Sequence, residues 1–168
     1  LSLNDLTEEQ IHLLVRSLNQ LSGLCDVIIV DTGAGISSHV IDFALASPEI
    51  LLVATPEPSS ITDSYSLLKA ILLNPVFNKK VTRISLVANR VKNESEAESV
   101  YTKLDGVVYQ FLESHISFAG GVPQDPNLEK AVRAQRIVSM AYPASKSSRS
   151  FEDIAKKIMD YDDGGKPW

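Results

Sequence analysis

Asp31 closes the apolar run Val27-Ile-Ile-Val30 and is followed by Thr32-Gly-Ala-Gly35. A carboxylate at the end of an apolar strand is the arrangement that holds a magnesium ion, often through water. Magnesium prefers hard oxygen ligands and keeps several of its waters. Gly33 and Gly35 would let backbone amides come close to a phosphate. Taken alone, an N-cap aspartate in an ordinary βα turn explains Asp31 equally well. Asn89-Arg90 ends another apolar run. The Asn89 amide offers an acceptor and two donors, the set that pairs with a purine edge; a turn-forming asparagine is the simpler reading of that residue by itself. Gly121-Val-Pro-Gln-Asp125 could shape a base pocket or simply open a well-capped helix. Glu57 and Asp63 read as surface and cap residues. His12 and His115 read as surface residues, and His39 has no second ligand at metal spacing. Cys25 precedes an apolar run and reads as a core thiol.

The elements needed to position these residues follow from periodicity. Thr7 with Gln10 forms a capping box, and Ile11, Leu14, Val15, Leu18 and Leu21 predict a helix over 8–22 that stops at Gly23. Residues 26–31 form a β-branched run without alternation, expected as a strand covered on both faces. Ser38 is the expected cap of a helix with Val40, Ile41, Ala44 and Leu45 inward. Strands are expected at 50–55, 83–88 and 116–119. A helix with Ile61, Leu68, Ile71 and Leu72 inward follows the first of these, opened by Ser60 with Asp63. A long helix carrying Val100, Leu104, Val107, Val108 and Phe111 follows the second. Asp125 before Pro126 is a strong helix start, with Leu128, Ala131 and Val132 inward. The last helix carries Phe151, Ile154, Ala155, Ile158 and Met159. This βαβ series predicts an α/β fold: a doubly wound, mainly parallel sheet with helices on both faces. Right-handed crossovers bring the strand C-terminal ends to one edge, where such folds bind ligands. Residues 31–35, 55–59, 89–91 and 120–125 are therefore expected to meet there.

The chain has 168 residues, 44% hydrophobic and 22% charged, an ordinary globular composition that excludes disordered and fibrous classes. Its longest apolar runs fall far short of the ~18 residues of a membrane span. One cysteine excludes an internal disulfide and suits a reducing compartment. Sixteen basic and 21 acidic residues leave a net charge of −5, which does not suggest strong nucleic-acid binding. The segment 161–168, acidic and then Gly-rich, is expected to be a flexible tail.

As a set, Asp26–Ile36, Pro56-Glu-Pro-Ser-Ser-Ile-Thr-Asp63, Val87-Ala-Asn-Arg-Val91, Gly121-Val-Pro-Gln-Asp125 and Ala131-Val-Arg-Ala-Gln-Arg136 resemble the MinD/ParA class of deviant Walker ATPases. Asp-Thr-Gly-Ala-Gly and the later Tyr142-Pro-Ala-Ser-Lys-Ser-Ser-Arg-Ser150 are most similar to its flagellar-number branch, FlhG (FleN). The resemblance covers about residues 10 to 160. It implies a P-loop NTPase-like fold and a switch protein that binds ATP with magnesium, dimerises around it and hydrolyses it slowly. It also implies flagellar assembly or regulatory proteins as partners, and a cytoplasmic location with peripheral membrane contact. A ParA-type partition role is the alternative within the class. Carried over, Asp31 is the catalytic residue in the outer shell of the magnesium ion. Thr32, Gly33 and Gly35 line the γ-phosphate and the dimer face. Asn89 and Arg90 contact adenine, and Pro123, Gln124 and Asp125 flank the base.

The family's Gly-rich phosphate loop, ending Gly-Lys-Ser/Thr, is missing. The eight glycines are at 23, 33, 35, 106, 120, 121, 164 and 165. The only Gly-Lys pair, Gly165-Lys166, is followed by proline and has Asp160 where the first glycine belongs. The expectation is that residues 1–160 are the C-terminal part of a MinD/FlhG-like ATPase domain. Without the loop's amides and lysine little holds a triphosphate, so no nucleotide is expected to bind this chain tightly, and the chain alone is expected to be inactive. A nucleotide-free interaction module is the rival reading. The family's C-terminal membrane helix has a basic polar face. Here Lys156 and Lys157 run straight into Asp160, Asp162 and Asp163, so a packed terminal helix is expected. Ile29-Val-Asp-Thr-Gly-Ala34 also matches the active-site string of aspartic proteases, but there the string leads into strand, whereas a helical pattern follows here.

Overall fold

The computed structural model describes residues 20–160, and Leu13 and Ser17 before them. Most of the expected helix over 8–22 lies outside the described residues, as does the expected tail 161–168. The end of that helix, Gln20–Gly23, is a 3-10 turn. The elements that follow are α1 Ser38–Ala46, β1 Glu49–Ala54, α2 Pro58–Leu72, β2 Arg83–Val91, α3 Glu94–Leu112, β3 Ser117–Pro123, α4 Pro126–Arg133, α5 Val138–Ala141 and α6 Lys146–Asp160. The sheet order is β1-β2-β3, with β2 and β3 parallel. None of the helices described is long and apolar enough to cross a membrane.

The chain divides into two compact units. One comprises residues 1–50 and 66–83, the other 51–65 and 84–168.

In the first unit, α1 starts at Ser38 with Ser37 as its N-cap, one residue earlier than the expected cap. Its buried residues are Val40 and Phe43; Ile41, Ala44 and Leu45 are half-buried. Arg83 Nε pairs with the carboxylate of Glu49. The expected strand over 26–31 does not form, and Val27, Ile28 and Ile29 are 52%, 40% and 83% exposed. A β-branched run supplies propensity only. A strand is made by ladder partners for its backbone groups, and this segment is not among the strands of the sheet. Cys25 is also exposed, with Sγ 3.4 Å from the Leu21 carbonyl, which corrects its reading as a core thiol. The 31–37 loop runs directly into α1, not into strand, which removes the protease reading.

In the second unit, β2 is buried from Ile84 through Ala88 and again at Val91. Two adjacent glycines of β3 set the layers. A Cβ built on Gly120 meets Ile154 Cγ1 of α6 at 2.9 Å, and one built on Gly121 meets Ala97 Cβ of α3 at 2.6 Å. Successive strand residues point to opposite faces, so α6 and α3 cover opposite faces of β3, as the βαβ pattern requires. Val87, Ala119, Val122 and Ile154 form one core cluster, with Leu128 and Ile158 packed against it. Ala97, Val100, Leu104 and Val108 are the buried stripe of α3. Asn93 caps that helix by accepting the Glu96 N–H at 2.9 Å, while the Glu96 carboxylate accepts the Lys92 N–H at 2.6 Å.

Some residues expected inside are bare. Phe111 is 63% exposed and stands edge-on to Tyr65 with ring centroids 6.5 Å apart; Val132 is 66% exposed. Of the residues expected inward in α6, Ile154 is buried and Ile158 half-buried, while Phe151, Ala155 and Met159 are exposed. The contact α6 makes at Gly120 sets its inner face, and that contact is invisible to helical periodicity.

Candidate functional site

The C-terminal ends of β1, β2 and β3 carry most of the residues singled out in the sequence. After β1, the Thr55 N–H donates to Ser60 Oγ at 2.9 Å, so Ser60 ties the strand end to the first turn of α2. The Glu57 carboxyl is held below its ordinary range by the Thr55 hydroxyl, by its own backbone amide and, more weakly, by the Arg90 charge.

β2 extends beyond the expected 83–88, so Asn89 and Arg90 lie within its last turn of pleat. Asn89 pairs with Val122 and Val91 with Pro123. Two steps of β2 therefore match one of β3, a bulge that leaves Arg90 unpaired in the ladder. Arg90 takes φ 57°, a left-handed conformation uncommon for a side chain of this size. Its N–H donates to Asn89 Oδ1 at 2.9 Å, and its carbonyl accepts from Gln124 Nε2 at 3.2 Å. The Gln124 backbone N–H donates to the Val91 carbonyl at 2.8 Å. Asn89, Arg90, Pro123 and Gln124 are therefore stitched into one rim.

Asp125 faces the other way. It is 6% exposed. Its Oδ1 accepts the Asn127 N–H at 2.8 Å, capping α4, and its Oδ2 accepts the Ser147 N–H at 3.0 Å and the Ser147 hydroxyl at 2.9 Å. The Ser147 N–H is the largest cause holding the carboxyl below its ordinary range, with further help from the Asn127 N–H and the Ser147 and Ser145 hydroxyls against the opposing effect of burial. Ser145 Oγ lies 2.8 Å from Ser148 Oγ and accepts the Ser148 N–H at 3.2 Å; Ser148 Oγ donates to the Tyr142 carbonyl at 2.8 Å. This buried serine cluster carries no expectation from the sequence. Its only local sign is the recurrence of serine at 145, 147 and 148 in a helix start.

The Asp31 loop belongs to the first unit. Asp31, Gly33 and Gly35 are exposed, Thr32 is half-buried, and Gly35 takes φ 111°, a conformation that costs glycine little. An exposed carboxylate there suits an ion held through water. His39, in the first turn of α1, has a buried Nδ1 without a hydrogen-bond partner among the described residues. No cluster of three metal-ligating side chains exists among the described residues.

A groove of about 390 Å³ lies between the start of α2 and the start of α3, lined by Pro56, Ile61, Asn93, Ser95, Glu96, Ser99, Val100 and Lys103. None of the expected site residues lines it.

No family model matches the chain. It is 37% identical over 159 residues to the antiactivator FleN of Pseudomonas aeruginosa, covering 90% of this chain and 55% of that protein. It is 32% identical over 135 residues to the flagellum site-determining protein YlxH of Helicobacter pylori, covering 80% of this chain and 44% of that one. Among solved structures, MinD of Pyrococcus horikoshii, determined with Mg-ADP, matches at a TM-score of 0.66 and 20% identity over 86% of this chain and 55% of that one. The chain thus spans about half the length of the curated relatives it matches. The P-loop NTPase-like fold expected from the sequence is that of MinD. By sequence and fold together, the chain is similar to the MinD/ParA class, and within it to FlhG-like proteins.

Proposed function

We propose that this chain is the base-recognising and magnesium-side part of an ATP-dependent switch that controls flagellar number or placement. Residues 1–160 then form the C-terminal part of a MinD/FlhG-like ATPase domain. In the whole protein ATP is hydrolysed slowly by a dimer, and flagellar regulatory proteins read the state. The observation that carries this reading is the rim at the strand ends, where Arg90 is bonded to both Asn89 and Gln124. Asn89 spends one lone pair of Oδ1 on the Arg90 N–H and keeps a second lone pair and both amide protons for a purine edge. Pro123 and Gln124 flank that position. Asp31 holds magnesium through water, and Thr32, Gly33 and Gly35 line the γ-phosphate. Bound magnesium supplies charge neutralisation at the phosphates.

The residues present fit a base and an outer-shell metal better than they fit a triphosphate, because none of the eight glycines belongs to a Gly-Lys-Ser/Thr loop. That MinD of Pyrococcus horikoshii was determined with Mg-ADP and that FleN is an antiactivator support the reading. The test is Asn89→Ala in the full-length protein. Loss of a hydrogen-bonded pair worth about 1.4 kcal/mol weakens ATP about tenfold and leaves GTP unchanged. Equal losses for ATP and GTP would refute base recognition by Asn89.

A further inference from the structure

One carboxylate serves two helices. Asp125 uses Oδ1 for the first turn of α4 and Oδ2 for the first turn of α6. Each helix start presents unpaired N–H groups and a partial positive charge, so a single buried anion joins both. The α4 interaction is ordinary capping. The α6 interaction spans 22 residues of sequence and has no need to pass through this residue, since Ser145 already accepts the Ser148 N–H of α6.

Asp125 directly follows Gln124, whose side chain and backbone hold the Arg90 carbonyl and the Val91 carbonyl. The segment 123–125 is thus fixed to β2 at one end and to α6 at the other. Arg90 needs that support. A left-handed non-glycine residue is disfavoured and persists where its surroundings impose it. From these contacts we infer that Asp125 and Ser147 are positioning residues, a clamp that holds the base rim and the start of α6 as one unit, so that occupancy of the rim is felt in α6. Asp125 then acts on the base through Gln124 and Arg90, its own carboxylate being fully engaged inside the protein. This role presupposes the base recognition proposed above.

The two oxygens allow the two helices to be separated. Asparagine is as good an N-cap as aspartate, so Asp125→Asn keeps the Asn127 bond through Oδ1. Its Nδ2 then confronts the Ser147 N–H, donor against donor. Ser147→Ala is milder: it keeps the Ser147 N–H bond to Asp125 and removes the hydroxyl's bonds to Asp125 and Ser145. In the full-length protein the readouts are the ratio of GTP to ATP dissociation constants, binding of inorganic tripolyphosphate, and amide exchange at Ser147 and Ser148 with and without ATP. The wild type is expected to prefer ATP, with exchange at both amides slowed at least fivefold by ATP. Asp125→Asn is expected to lower the preference at least fivefold and abolish the ATP effect on exchange, with tripolyphosphate binding unchanged. Ser147→Ala is expected to lower the preference about twofold. A wild type without preference for ATP would refute base recognition itself. A wild type with that preference, retained by both variants, overturns the clamp alone. Should Asp125→Asn fail to fold, Ser147→Ala decides, a retained preference counting against the clamp.

Discussion

Gly121 is the tightest point between β3 and α3. A methyl group there lies 2.6 Å from Ala97 Cβ, with Val91 Cγ2 at 3.4 Å and the Ala88 carbonyl oxygen at 3.7 Å. Carbon pairs rest at about 3.5–4.0 Å, so Gly121→Ala must push the strand and the helix apart by about 1 Å. Ala97 cannot rotate away, because its Cβ is fixed to the helix backbone, and it is wholly buried. Overpacking of this kind costs about 1–3 kcal/mol, and the upper half is expected because no flexible side chain absorbs the clash. Gly106 is the internal control. It lies in α3 with nothing within 4 Å of a built Cβ, so Gly106→Ala should stabilise by about 0.4–1 kcal/mol. The decisive variant combines Gly121→Ala with Ala97→Gly. The second change removes the clashing atom at a helix-propensity cost of up to about 1 kcal/mol. The double variant should then be about as stable as Ala97→Gly alone, a coupling of at least 1 kcal/mol. Urea unfolding of the wild type and these four variants, followed by circular dichroism, measures this. Gly121→Ala at or above wild-type stability, or strictly additive losses in the double variant, would refute the packing argument.

Asp125 has a folded-state pKa below its unfolded value of about 3.9, so its contribution to stability is complete above that value and is lost as pH falls through the folded one. Urea midpoints measured from pH 6 down to pH 2 should drop less in Asp125→Asn than in the wild type, and that variant should cost about 1–3 kcal/mol at pH 7 through the bonds it breaks; parallel pH profiles would contradict this. The 168-residue chain by itself should bind Mg-ATP more weakly than about 1 mM, or −4 kcal/mol, so micromolar binding by calorimetry would overturn the reading of its glycines. Asp31→Ala in the full-length protein should abolish hydrolysis and ATP-dependent dimerisation, and wild-type turnover would show that Asp31 is only a loop residue. Leu51 and Val53 of the outer strand β1 are 41% and 57% exposed, as are Ile28 and Ile29 at 40% and 83%, so the 168-residue chain should self-associate; sedimentation of a single 18.4 kDa species unaffected by dilution would refute it.

Local chemistry was readable along the chain. The Asp125-Pro126 helix start, the Val100, Leu104 and Val108 stripe, and the three strands that form all rest on signals within a few residues, and these survive in the structure. The MinD-like order of motifs was readable for the same reason, since each motif is a short string at a strand end. What depended on distant partners was not readable. Residues 27–30 have the composition of a buried strand, but Val27, Ile28 and Ile29 stand exposed and Val30 is half-buried, because a strand exists only where another backbone completes its hydrogen bonds. Phe111 and Val132 fit their helical stripes and still face solvent, since periodicity says which residues share a face and not which face is covered. Asp125 shows the limit most clearly. Its cap of α4 is written in the next residue, but its hold on Ser147 joins positions 22 apart, and only the folding of α6 against β3 at Gly120 brings that donor to the carboxylate.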